Sequence, residues 1–181
     1  RILELDLRKA LANEEFELFY QPLVNVKSGR ISTCEALLRW NHPTRGLVSP
    51  LEFIPLAEES GLIERIGAWV MRTACMEAVR WQRAGLQVAI AVNVSPLQFD
   101  RPDLPRRVME VLAQTGLAPQ YLELEVTEGA LMENSEATRA ALQALHDHGV
   151  RIALDDFGTG YSSLSYLTRM PISRIKIDRC F

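Results

Sequence analysis

The sequence predicts an α/β fold around a parallel sheet, arranged either as a (β/α) barrel or as a doubly wound sheet. Two features carry this expectation. From residue 88 onward, short and largely apolar runs (88–92, 121–126 and 150–154) alternate with amphipathic helical stretches. That is the pattern of strands covered on both faces by helices. Residues 16–40 differ: two strand-like runs rich in aromatic and β-branched residues flank Lys27-Ser28-Gly29-Arg30, which reads as the turn of an opening hairpin.

Each element follows in order. Residues 2–12 form an amphipathic helix, with Ile2, Leu3, Leu5, Leu7 and Leu11 set among charges. The hairpin strands occupy 16–26 and 31–40, and 41–50 is a loop rich in Pro, Gly, Thr and Ser. A helix then starts at Ser49-Pro50-Leu51-Glu52, where Ser49 caps, Pro50 suits the first turn and Glu52 holds the capping-box position. It ends at Ser60-Gly61, and a longer helix fills 62–84 before Gly85. Strands at 88–92, 121–126, 150–154 and 172–177 are separated by helices at 104–114 and 135–146 and by a Gly- and Ser-rich stretch at 157–165.

The composition narrows the function classes. With 181 residues, 48% of them hydrophobic, the chain supports one sizeable core. A net charge of −3 gives no blanket attraction to a DNA or RNA duplex or to an anionic membrane. Cys34, Cys75 and Cys180 show no CxxC spacing and read as thiols of a reducing compartment, hence a cytoplasmic domain. No apolar stretch approaches the ~20 residues of a membrane span, and Arg1-Ile2-Leu3-Glu4 is no signal peptide. A membrane anchor elsewhere in a parent protein is compatible with all of this.

The polar residues recur at one place in each unit. Glu35 lies in the second strand; Asn93 and Ser95 follow the strand ending at Val92. Glu123, Glu125 and Glu128 lie along and just past the next strand, Asp155-Asp156 closes the one after, and Lys176 and Asp178 end the last. The C-terminal ends of successive strands are where barrel enzymes assemble active sites. Acidic and amide oxygens converging on one mouth would repel unless a cation sat among them, and a set without His or Cys favours Mg²⁺ or Mn²⁺. Taken singly, Glu35 reads as a salt-bridged strand residue, Asn93 as a turn former, Asp155-Asp156 as a helix cap and Glu128 as a helix N-terminal acid. Co-location is what favours function. His146 and His148, two apart, share no helix face and read as solvent-facing. Trp69, Met71, Cys75 and Met76 read as helical core, and 156–163 as a loop hinged at Gly158 and Gly160.

Six ordered motifs then meet a known pattern: Phe19-Tyr20-Gln21-Pro22, Glu35-Ala36-Leu37 within EALLRW, Asn93-Val94-Ser95, Glu125-Val126-Thr127-Glu128, the run from Asp155-Asp156-Phe157-Gly158 through Ser162-Ser163, and Lys176-Ile177-Asp178. Across essentially its whole length the chain resembles the bacterial EAL-type cyclic di-GMP phosphodiesterase domain. The resemblance implies a modified (β/α)8 TIM-like barrel with an antiparallel first strand, of which about six strands fall within residues 1–181. It implies hydrolysis of cyclic di-GMP to linear pGpG with two Mg²⁺ or Mn²⁺ ions, in second-messenger signalling. It places one metal on Glu35, Asn93, Glu125 and Asp155, with Asp155 and Asp156 serving the second. Lys176 would orient the attacking water. Glu128 would anchor the loop carrying Phe157, Gly158, Gly160 and Ser162, and Gln21, Leu37 and Arg39 would lie against the dinucleotide. Partners implied are cyclic di-GMP, sensory or GGDEF-type domains in the parent protein, and a second copy in a homodimer.

The family's later Glu-Gly-Val-Glu-like motif and a later metal-proximal Gln have no counterpart in residues 1–181, which fall short of the about 250 residues of a typical barrel. A non-catalytic cyclic di-GMP receptor, or a dimerisation module using the helix at 62–84, are the competing readings; intact acids argue against a pure receptor. Residues 1–181 expressed alone are expected to be poorly soluble, or to recruit another chain, and to show negligible hydrolysis. A cooperatively melting monomer of these residues with substantial turnover would overturn that expectation.

Overall fold

The computed structural model describes residues 2–99, 101–133, 135–157 and 170–177. Its chain order is α1 (Ile2–Ala10), β1 (Phe16–Val24), β2 (Ile31–His42), β3 (Gly46–Val48), α2 (Pro50–Glu59), α3 (Ile63–Arg83), β4 (Ala89–Asn93), α4 (Pro96–Phe99), α5 (Leu104–Thr115), β5 (Leu122–Thr127), α6 (Glu128–Glu133), α7 (Ser135–Asp147), β6 (Arg151–Phe157) and β7 (Arg174–Ile177). One sheet runs β1-β2-β4-β5-β6-β7, with β3 paired to β2. The β1–β2 pair is antiparallel and every later pair along that path is parallel. The expected topology, with a reversed first strand, is thus present.

The strands differ in sequence because they differ in cover. Almost every residue of β4 and β5 is buried, whereas β1 alternates between half-buried and exposed positions. Helix α3 presents Ile63, Ile66, Val70, Met71, Ala74, Cys75 and Ala78 to the core at three- and four-residue spacing, one apolar stripe of a 3.6-residue repeat. Met76 leaves that stripe and is 51% exposed, correcting its assignment to the core. Helix α2 starts as its sequence requires, with Ser49 Oγ accepting the Leu51 N–H at 3.3 Å and Pro50 in the first turn. Helix α5 ends where Gly116, at φ 77°, takes the left-handed cap and donates to the Leu112 carbonyl, a conformation that suits glycine.

Three details depart from the sequence reading. The loop at 41–50 contains β3, because Asn41 and His42 continue β2 and pair with Leu47 and Gly46. His42 holds that turn: its Nδ1 accepts N–H bonds from Thr44 and Arg45 while its Nε2 faces Asp6 of α1 at 3.2 Å. Second, Phe157 is the last residue of β6, aligned with Ile177, and not part of a loop. The strand continues because its register shift between Leu154 and Phe157 accommodates Asp156 at φ 54°, a β-bulge at a residue type that tolerates positive φ. Third, the short helices α4 and α6 follow β4 and β5 directly; four and six residues are too few for helical periodicity to register.

The end of the sheet near β2 is packed by an aromatic cluster. The Trp40 ring lies 5.6 Å from Phe53 and 6.0 Å from Phe16, and Phe16 lies 6.1 Å from Trp69. Trp40 and Phe53 are wholly buried, and the Trp40 indole N–H donates to Glu15 at 2.9 Å. Phe53→Ala should therefore cost about 3–5 kcal/mol, read as a lowered denaturant midpoint. Leu51→Ala, two residues away on the exposed side of α2, should leave that midpoint unchanged.

Candidate functional site

The central strands bring their polar residues together in two stacked layers. Side chains two apart on a strand share a face, so Thr33 and Glu35, Glu123 and Glu125, and Arg174 and Lys176 each contribute one residue to each layer. In the lower layer Arg174 Nη1 approaches Glu123 at 3.1 Å, out of line for a hydrogen bond, and its Nη2 donates to Thr33 at 3.3 Å. In the upper layer, at the C-terminal strand ends, Lys176 Nζ lies 2.7 Å from Glu125, 3.0 Å from Glu35 and 3.4 Å from Asp155. Asn93 Nδ2 donates to the other Glu35 oxygen at 3.0 Å.

Five expected site residues, Glu35, Asn93, Glu125, Asp155 and Lys176, therefore converge. Carboxylate oxygens of Glu35, Glu125 and Asp155 lie within 4.8 Å of one another. Asp156 adjoins them on the exposed side, its backbone N–H donating to Asp155 Oδ1 at 3.0 Å. Gln21 sits opposite Glu35 in the β1–β2 register. Arg39 lies over the Phe19 ring at 5.2 Å, and with Leu37 it lines a cavity of about 310 Å³ that reaches Asn93 and Glu125. Glu128 is buried in the first turn of α6. The expected partners of Glu128 in the loop, together with Gly158, Gly160, Ser162 and Asp178, lie outside the described residues.

The electrostatics follow from burial and crowding. Burial is the largest influence on Glu125 and, with the charges of Glu35 and Asp155, outweighs the bond from Lys176, so its carboxyl is pushed up to about 7. Burial also opposes ionisation of Glu35, but the hydrogen bonds from Asn93 and Lys176 prevail and hold its pKa below the ordinary value. Lys176 would lose its proton more easily through burial; the bonds and charges of Glu125 and Glu35 reverse this and raise its pKa. Three carboxylates against one ammonium leave the centre two charges negative when all are ionised. Glu125 Oε1 is buried with no hydrogen-bond partner among the described residues. An all-oxygen donor set with unbalanced negative charge and an unused buried oxygen fits a hard divalent cation.

The EAL domain family model matches residues 4–181. The chain belongs to the EAL domain family. It is 51% identical over its full length to an uncharacterized signalling protein of Caulobacter vibrioides, covering 22% of that protein. It is 45% identical to the cyclic di-GMP phosphodiesterase NbdA of Pseudomonas aeruginosa, over 99% of this chain and 23% of NbdA. A solved structure of the MucR phosphodiesterase with c-di-GMP superposes with a TM-score of 0.96 at 46% identity, covering 99% of this chain and 73% of that one. The curated protein, the bifunctional diguanylate cyclase and cyclic di-GMP phosphodiesterase MucR of Pseudomonas aeruginosa, is 48% identical over 97% of this chain and 26% of its own length. The chain thus spans about a quarter of the length of these curated relatives. Among the described residues no helix is long and apolar enough to cross a membrane.

Sequence reasoning on the EAL motifs passed over Glu58 and Gln98, which line the same cavity as Asn93. Glu58 reads as one more charge on an amphipathic helix, and its spacing carries no signal of what it faces.

The Glu125 shift has a measurable sign. Its folded pKa is raised from 4.5 to about 7, so the stabilising contribution of its protonated form is present below about 4.5 and is lost as pH rises to about 7. In chelator, thermal stability should fall across that window, and Glu125→Gln should flatten the fall. A wild-type melting temperature flat from pH 4.5 to 7.5 would show that the repulsion is absent.

Proposed function

We propose that this EAL domain hydrolyses one phosphodiester of cyclic di-GMP to give linear pGpG, using two Mg²⁺ or Mn²⁺ ions. The observation that carries the reading is Lys176 Nζ within 3.4 Å of carboxylates from three other strands. Glu35, Asn93, Glu125 and Asp155 would hold one ion, with Asp155 and Asp156 serving the second. When bound, such a pair lowers the pKa of water and offsets charge on the attacking and leaving oxygens.

The chain's own residues supply the remainder. Lys176 stays protonated, so it acts as a fixed positive charge and hydrogen-bond donor, not as a base. In this reading it would orient a water and stabilise negative charge growing on the phosphate. Glu35 and Glu125 hold that ammonium in place between their oxygens. Leu37 supplies an apolar wall, and Arg39 a cation kept over Phe19, for a planar and anionic ligand. Gln21, exposed beside Glu35 across the hairpin, would donate to the dinucleotide. In the parent protein, sensory or GGDEF-type domains and a second copy would regulate the reaction, and Glu128 would anchor the segment that follows β6.

The test is turnover of cyclic di-GMP with Mn²⁺ by the full-length protein. Glu35→Ala and Asp155→Ala should abolish hydrolysis while each variant still melts cooperatively, with the fold intact. Lys176→Ala should cut kcat by at least ~10²-fold with a much smaller change in metal affinity. Nucleotide binding in Ca²⁺ without any turnover in Mn²⁺ would instead identify a receptor. Near-normal hydrolysis by Glu35→Ala at saturating Mn²⁺ would refute the assignment.

A further inference from the structure

Ser95, two residues past Asn93, is held by side chains of two helices. Its hydroxyl donates to Glu58 Oε1 of α2 at 2.6 Å, and its backbone N–H donates to Gln98 Oε1 at 3.0 Å. The Gln98 amide in turn lies against Gly67 of α3, where a Cβ would meet Gln98 Nε2 at 2.3 Å. Helices α2 and α4 thus meet on Ser95, and α3 reaches it through Gln98.

Asn93 lies between this clamp and the sheet. On the sheet side it is aligned with Glu125, and the following Val94 N–H donates to the Glu125 carbonyl at 2.9 Å. Its own side chain is exposed at the strand end, so packing does not choose its rotamer. Backbone placement and the bond to Glu35 do. A serine before Pro96 could serve only as the cap of α4, but a capping hydroxyl accepts from its own helix. The Gln98 bond to the Ser95 N–H is the reciprocal half of a capping box, but the hydroxyl that would complete the box turns away to a carboxylate on α2. A charge-assisted bond this short is stronger than a neutral one, and it ties the exit of β4 to a neighbouring helix.

We propose that Ser95, clamped by Glu58 and Gln98 over Gly67, is a positioning residue that aims the Asn93 side chain at the metal-binding carboxylates. Donation from Nδ2 to Glu35 leaves the amide oxygen as the ligand atom. The inference rests on the reading of this centre as a divalent-metal site, and it adds a set of residues outside that site on which metal affinity depends.

The experiment is calorimetric titration of the full-length protein with Mn²⁺ in the absence of nucleotide, beside melting temperatures in chelator. Ser95→Ala and Glu58→Ala should each weaken Mn²⁺ binding about 10-fold, the lower range for groups that orient metal ligands, while still melting cooperatively. Ser95→Thr, which keeps the hydroxyl, should restore affinity. Ser95→Ala added to Asn93→Ala should weaken binding no further than Asn93→Ala alone, because both act through one ligand. Gly67→Ala, which displaces Gln98 without touching Ser95, should also weaken binding. If Asn93→Ala weakens binding and the Ser95 and Glu58 variants do not, the clamp is refuted and the metal site stands. Additive losses, or failure of Ser95→Thr to restore affinity, would likewise reduce the clamp to a structural contact. If Asn93→Ala itself binds Mn²⁺ normally, the metal reading beneath both fails.

Discussion

One ammonium group holds the centre of this fold together. Three carboxylates from β2, β5 and β6 are directed into a space a few ångströms across, and at that separation like charges in a partly buried setting repel by several kcal/mol. Lys176 bonds to two of them and lies 3.4 Å from the third. It comes from β7, the strand paired to β6 at the far end of the described sheet from β1. The cation is therefore delivered by the same strand pairing that completes the acidic ring. Local sequence supplies each charge, but only the tertiary fold makes the set tolerable.

The layer beneath repeats the arrangement with different chemistry. Glu123 is almost wholly buried, and Arg174 reaches both it and Thr33. Arginine remains charged and hydrogen-bonds with a rigid fork, whereas lysine is a compact point charge with rotatable donors. The lower pair is suited to bracing the strands. The upper lysine is suited to a role in which its contacts change as ligand enters. Strand alternation places both pairs with a single register, so a one-residue slip would displace the brace and the acidic centre together.

Much of this was legible in the sequence. Largely apolar runs mark β4, β5 and β6 as central parallel strands, and the acids at their ends mark the mouth. Glu35, Asn93, Glu125, Asp155 and Lys176 meet as their positions implied. What escaped depends on tertiary contact or on length. The three residues of β3 carry too little pattern to separate from loop. Phe157 pairs with Ile177 only because Asp156 adopts positive φ, which no composition signals for an aspartate followed by Phe. The buried histidine, His42, shows no sign in the sequence that its ring closes a turn on one side and meets Asp6 on the other. Met76 lay one residue outside a stripe whose edge periodicity alone does not fix.

Glu58 shows the same limit at the site itself. On α2 it is one of several acids, and helical periodicity says only that it lies near an apolar face. Its meaning comes from β4 ending at Asn93 and the chain turning so that Ser95 faces α2. A carboxylate at that spot has a second consequence. It stands in the cavity wall with Arg39, placing charges of both signs around a space open to ligand. A dinucleotide offers anionic phosphates and base edges that donate hydrogen bonds, so a wall with both signs can discriminate orientation where a uniformly basic one would only attract. The net charge of −3 makes the same point for the whole chain: selectivity for a cyclic dinucleotide would rest on where a few cations sit, not on how many there are.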